Sequence, residues 1–278
     1  MATLKNVNTQ QSGNDTIYKG ENPILRKFNT VEDRASEGDK KATYSGITLK
    51  TLFFLLMTGV GFAMYYLVAP MLATGEPIVA DEYTFYIPQV ILMLVAAVFT
   101  IVTPFLAWII RVTIPVTGTL YAFSQGILIS WISYTFAGQY NDVIILSVLI
   151  TLVLVFSMLL LYTTGTVKPN KKFRTVITTL FITSIISSVL ILIAYFIPGL
   201  NGFVDMIVGH PFLSIGFSIV GIIIACMFLL CDFETVQRTV EKGLPKKYEW
   251  IASFGLAFTI IWLYLKVLDI LMRLKDNS

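Results

Sequence analysis

Long runs of Leu, Ile, Phe and Val recur along the chain, each bounded by charged or helix-breaking residues. Seven of them reach the ~20 residues that a helix needs to cross a bilayer. They are Leu52–Leu72, Phe85–Ile110, Pro115–Ala137, Val143–Tyr162, Thr175–Ile197, Phe212–Cys231 and Trp250–Met272. None shows the period-two alternation of a transmembrane barrel, so the pattern predicts helices. Between them lie Gly75-Glu76-Pro77, Lys168-Pro169-Asn170-Lys171, Pro198-Gly199 and Gly243-Leu244-Pro245, where breakers and polar residues coincide. Pro88, Pro104 and Pro115 fall near or inside the second and third spans, where neighbouring helices can re-satisfy the freed backbone groups. No fixed-period repeat is visible.

Residues 1–50 differ in kind. They are polar, with little apolar periodicity, and read as a disordered tail. Within the tail, Asn22–Phe28 forms one small amphipathic island, either docked on a membrane face or simply solvated. A basic segment followed by an apolar core, as in a cleaved signal peptide, does not open the sequence. The predicted organisation is therefore a tail over 1–50, a seven-helix membrane domain over 51–274 and a short C-terminal tail over 275–278.

Composition agrees: 56% of residues are hydrophobic and 13% charged, and the mean hydropathy is +0.77. A soluble domain carries roughly 25% charge and cannot hide so much apolar surface. The net charge of +3 matters less than its placement. Eight Lys/Arg lie in the tail, one (Arg111) in the second connection, and four each in the fourth and sixth; these 17 of 20 occupy alternating connections. The basic side is cytoplasmic by the positive-inside rule, which predicts a cytoplasmic N-terminus and an outside C-terminus.

Few side chains could carry chemistry. A single His, His210, excludes an HExxH zinc site. Cys226 and Cys231 are five apart in one apolar run and read as packing residues. Charge within a span is costly, about 2.5–3.5 kcal/mol on insertion scales, and so marks candidate function. Asp232 and Glu234 stand at the inner end of the sixth span, either as a site or as solvated helix-end residues. Lys266 and Asp269, in the seventh, share a helix face and can pair with each other or snorkel to the outer interface. Gln125, in the middle of the third span, could line a pathway or hydrogen-bond a neighbouring helix. There is no GxSxG elbow and no Gly-x-Gly-Asp motif, and the third span lacks the acids a retinal protein needs. The chain does not read as an enzyme, and no cofactor or nucleic-acid partner is indicated.

Certain stretches stand out in order. They are Asn22-Pro23 with Phe28, Ala42-Thr43-Tyr44-Ser45-Gly46 with Lys50-Thr51, Tyr121-Ala122 with Gly126, and Lys172-Phe173-Arg174. Further on come Ile215-Gly216-Phe217-Ser218, Asp232-Phe233-Glu234, Pro245-Lys246-Lys247-Tyr248-Glu249-Trp250, Phe254-Gly255-Leu256 and Trp262-Leu263-Tyr264-Leu265. From Asn22 onward the sequence resembles the bacterial, YccA-like branch of the Bax inhibitor-1 family. The resemblance implies six helices wrapped around a central seventh and a pH-sensitive calcium leak across a bacterial cell membrane. Its implied sensor is a pair of carboxylates, at the end of helix six and in helix seven, that share one proton when closed. Mapped onto this chain, the helix-six acid is Asp232. Lys266 stands where the helix-seven acid is expected, directly after Leu263-Tyr264-Leu265, and Gln125 where a Glu is expected in helix three.

Two expectations follow from that mapping. In one, Asp232 and Lys266 form a fixed ion pair that reduces or locks conduction. In the other, Glu234 or Asp269 takes over as the partner of Asp232. The ligands implied are protons and a transient calcium ion, with the lipid bilayer as surroundings. The alternative reading is a non-conducting membrane protein that contacts a membrane protease or stress-response partner.

Overall fold

The computed structural model describes residues 40–276 apart from 81–82, 136–140, 196, 198, 201 and 203–209. Of the disordered tail expected over 1–50, residues 1–39, with the island at Asn22–Phe28, lie outside the described residues, whereas 44–50 are helical and open the first membrane helix. The packing described below lies within the unit Lys41–Ser278.

Seven helices are long and apolar enough to cross a membrane among the described residues. They are α1 (Tyr44–Leu72), α2 (Ile87–Ile109), α3 (Ile114–Thr135), α4 (Asn141–Thr163), α5 (Lys171–Tyr195), α6 (Pro211–Glu241) and α7 (Lys247–Asp276). The protein is therefore an all-α, multi-pass membrane protein. Each helix contains or overlaps one predicted span. Prolines open three of them: Pro88 and Pro211 sit in the first turns of α2 and α6, and Pro115 follows the first residue of α3.

Several boundaries differ from the hydropathy reading, for local reasons. α1 begins eight residues before Leu52 because Thr43 caps it, its hydroxyl accepting from the Gly46 N–H at 3.0 Å. α6 continues ten residues past Cys231, since its polar end projects beyond the apolar slab. Its 31 residues make a helix about 46 Å long against a hydrocarbon core of about 30 Å. Asp232 therefore lies well inside the helix, not at its end as the sequence suggested. The first connection holds an unpredicted antiparallel ladder of β1 (Ile78–Ala80) and β2 (Tyr83–Phe85), with Ile78 opposite Phe85 and Val79 opposite Thr84. Its β-branched and aromatic residues suit extended backbone.

α1 and α3 approach most closely at Gly61 and Gly126, where an added Cβ would overlap the Phe123 and Thr58 carbonyl oxygens respectively. Such close approach is how small residues bind helices together in lipid. α7 packs on α6, α1, α4 and α3, while α2 rests chiefly on α3 and α5 on α6. The α6–α7 seam is filled by Ala225, Leu229, Leu263 and Val267, and the α1–α3–α7 junction by Phe54, Ala122 and Ala257. Outward faces remain apolar: Leu94, Val98, Ile101 and Phe105 on α2 are all exposed, as a lipid-facing surface requires.

Candidate functional site in the seam between α6 and α7

α6 ends in a tight reversal. Gly243, at φ +60°, donates its N–H to Val240 O, and Leu244 donates to Thr239 O, the paired bonds of a Schellman motif. Three residues later α7 starts back along α6. Contacts then recede from the turn in step: Asp232 meets Gly255, Phe228 meets Trp262, Gly221 meets Lys266 and Ser218 meets Asp269.

This register determines what faces Asp232. Its Oδ1 lies 3.7 Å from where a Cβ on Gly255 would sit, and the Thr259 hydroxyl, one turn on, is its polar neighbour. Its Oδ2 is buried and accepts no hydrogen bond from any described residue. A buried acceptor with no partner costs about 1–3 kcal/mol, more if charged, so it marks a place where function competes with stability.

The expected Asp232–Lys266 ion pair is not formed. The Lys266 stem packs on Gly221, with Cδ 3.1 Å from the Cβ position there, and Gly221 lies eleven residues from Asp232 on α6. That separation is about 16 Å along the helix. Among the described residues no salt bridge reaches Lys266. Nor do the alternative partners meet Asp232. Asp269 lies further still from the turn, accepting from Ser218 Oγ at 2.6 Å and from Arg273 Nε at 3.0 Å, so it does not pair with Lys266 either. Glu234 is held by Arg174 Nε at 3.0 Å and by Arg238 at 2.5 Å. Gln125 is buried, and its Nε2 donates at 3.4 Å to Tyr121 of its own helix rather than across to another. Tyr121 in turn stacks on Phe258 of α7 with ring centres 5.2 Å apart.

The charged end of α6 is tied to two other helices. Arg174 of α5 reaches Glu234, the Cys231 carbonyl at 3.0 Å and the Thr235 hydroxyl at 3.1 Å. Tyr162 of α4 bonds Gln237. A cleft of about 230 Å³ opens there, lined by Tyr162, Lys168, Glu234, Gln237, Arg238 and Glu241. Cys226 and Cys231 are free thiols, the first buried in the seam.

A second charged centre lies where α7 begins. Glu249 is fully buried, ion-paired with Lys50 of α1, and accepts from the Thr43 N–H at 3.0 Å and hydroxyl at 3.2 Å. Gly46 makes room for it, since a Cβ there would collide with the carboxylate. The Ala42 N–H donates to Leu244 O at 2.8 Å, and Ser253 Oγ to Ile47 O at 2.8 Å, so the segment before α1 and the α6–α7 turn are bound together. Residue types alone did not single out Glu249, because it lies among the charges of a connection. The one signal in the sequence was its place in the Pro245-Lys246-Lys247-Tyr248-Glu249-Trp250 stretch that carries the family resemblance.

The model of proteins described as Bax inhibitor 1 like matches residues 22–276. The chain belongs to that family. No curated protein and no solved structure matches it. Bax inhibitor 1 like proteins are not catalytic, in agreement with the reading of the sequence. Among the described residues no group of three or more His, Cys, Asp or Glu could hold a metal ion. In this Bax inhibitor 1 like chain the residues of α7 that face Asp232 of α6 are Gly255 and Thr259.

Proposed function

We propose that this Bax inhibitor 1 like protein is a cation leak, with calcium as its ion, gated at Asp232 in the α6–α7 seam. The observation that carries the reading is the buried Asp232 Oδ2 with no hydrogen-bond partner among the described residues. Calcium takes hard oxygen ligands, and one carboxylate beside a Thr hydroxyl offers the start of a transient site rather than a resident one. Gly255 and Thr259 bring no second carboxylate, so no proton is shared across the seam and conduction is weak. Lys266, about three turns away, takes no part in this gate.

The wider arrangement belongs to the same reading. Six helices wrap around α7, supported by its direct packing on α1, α3, α4 and α6 and by the Phe181 ring of α5, 5.1 Å from Trp262. The N-terminus is cytoplasmic and the C-terminus outside, in a bacterial cell membrane, supported by the one-sided basic connections.

Calcium-loaded liposomes containing the purified chain test the leak. Efflux should exceed that of protein-free liposomes and fall to background in Asp232→Asn. Gly255→Asp, which restores a facing carboxylate, should speed efflux and steepen its pH dependence, while Lys266→Glu should change neither. Background efflux from both the wild type and Gly255→Asp would overturn conduction and favour a non-conducting protein that acts through membrane partners.

A further inference from the structure

α1 and α4 both pack on α7, but not along each other. The gap between them is a crevice of about 390 Å³. Its mouth is formed by Gly59 of α1 and Val148 and Leu152 of α4, all exposed, and its floor by Ile260, the buried Ile261 and Tyr264 of α7. All of these belong to membrane-spanning helices.

The wall chemistry excludes water. Thr58 and Thr151 line the crevice, yet their hydroxyls are turned back onto their own helices, to Phe54 O at 3.2 Å and Ser147 O at 2.7 Å. What they present is methyl. A water inside would need two to four polar partners, and beyond the single Tyr264 hydroxyl this lining supplies none. Leaving the space empty forfeits the dispersion contacts of every wall atom. The occupant must be apolar, and at this depth the surroundings consist of lipid tails.

Gly59 points the same way. A mid-helix glycine costs about 1 kcal/mol relative to Ala and usually permits a close helix approach. Gly61, two residues on, does permit one, against Phe123. At Gly59, by contrast, a Cβ would meet nothing within 4 Å. No protein contact requires glycine there; what its absent side chain leaves open is the mouth of the crevice.

We propose that the crevice is a binding site for one acyl chain of a bilayer phospholipid, which enters between α1 and α4 and lies against α7. The inference stands apart from the leak, since it needs no conduction. The discriminating feature is depth: lipid touches the outer face of α4 whether or not the site exists, but reaches the floor residues of α7 only through the crevice.

The test uses the full chain in liposomes containing phosphatidylcholine with a diazirine-bearing acyl chain, followed by photolysis and peptide mapping. Label is expected on Ile260 or Tyr264 as well as on Leu152. Gly59→Leu should reduce label on the α7 residues at least tenfold and leave Leu152 unchanged; Gly59→Ala, which adds only a methyl, should reduce it less. Label confined to α4 in the wild type would overturn the proposal. So would equal α7 labelling in the wild type and Gly59→Leu, or crosslinks through the crevice to a second copy of the chain. Melting of the variants in detergent separates a filled crevice from a misfolded bundle: if Gly59→Leu does not fold, the Gly59→Ala comparison and the wild-type label on α7 decide the matter.

Discussion

A carboxylate at the beginning of a membrane helix is ordinarily solvated, but Glu249 is not. Its three donors come from Thr43 and Lys50, and Gly46 provides the space. Removing one member of such a buried pair strands the other charge, which costs about 3–5 kcal/mol, whereas replacing both with apolar residues is often neutral. Lys50→Met or Glu249→Leu alone should therefore lower the melting temperature in detergent markedly, and the double variant should recover much of the loss. Equal melting of wild type and Lys50→Met would show that the pair holds nothing. Asp232 is the opposite case at the same scale: it has neighbours but no partner for Oδ2, so Asp232→Asn, which removes the charge, should alter flux without lowering the melting temperature.

At the scale of the element, the α6–α7 hairpin governs the site. Two antiparallel helices joined by a short turn bring together residues roughly equidistant from that turn. Gly243–Leu244 is the pivot, which places Gly255 opposite Asp232 and Gly221 opposite Lys266. Cysteine pairs measure this directly. Oxidative crosslinking should join Gly221→Cys to Lys266→Cys readily and fail for Asp232→Cys with Lys266→Cys, the latter pair being too far apart for any disulfide. Crosslinking of the second pair at the rate of the first would refute the register. The hairpin was legible in the sequence, since Gly243-Leu244-Pro245 marks the turn and counting outward from it reaches Gly255. Reading the position of the second acid from the Leu-Tyr-Leu stretch instead led to Lys266, eleven residues further along α7.

For the whole molecule, the one-sided basic connections make a topological prediction. Single cysteines at Gly75 and Asp142 should react with a membrane-impermeant thiol reagent added outside intact cells, in a background with Cys226 and Cys231 replaced. Cysteines at Lys168 and Lys246 should react only after permeabilisation. The reverse pattern would invert the orientation, without touching the helix count.

Spans, their number and the sidedness of charge were available from the sequence because the bilayer imposes them one segment at a time. Twenty apolar residues must cross regardless of what they pack against, and charges must collect outside the slab. Boundaries were blurred where a local device extended a helix, as with the Thr43 cap of α1 and the polar last turns of α6. What tertiary structure alone decided was partnership: Glu249 with Lys50 across 199 residues, Arg174 with Glu234 across 60, and Asp232 with no carboxylate opposite. Helix positions that are equally apolar in sequence become seam, crevice or lipid face only when neighbouring helices are fixed in rotation and register, and no single segment carries that information.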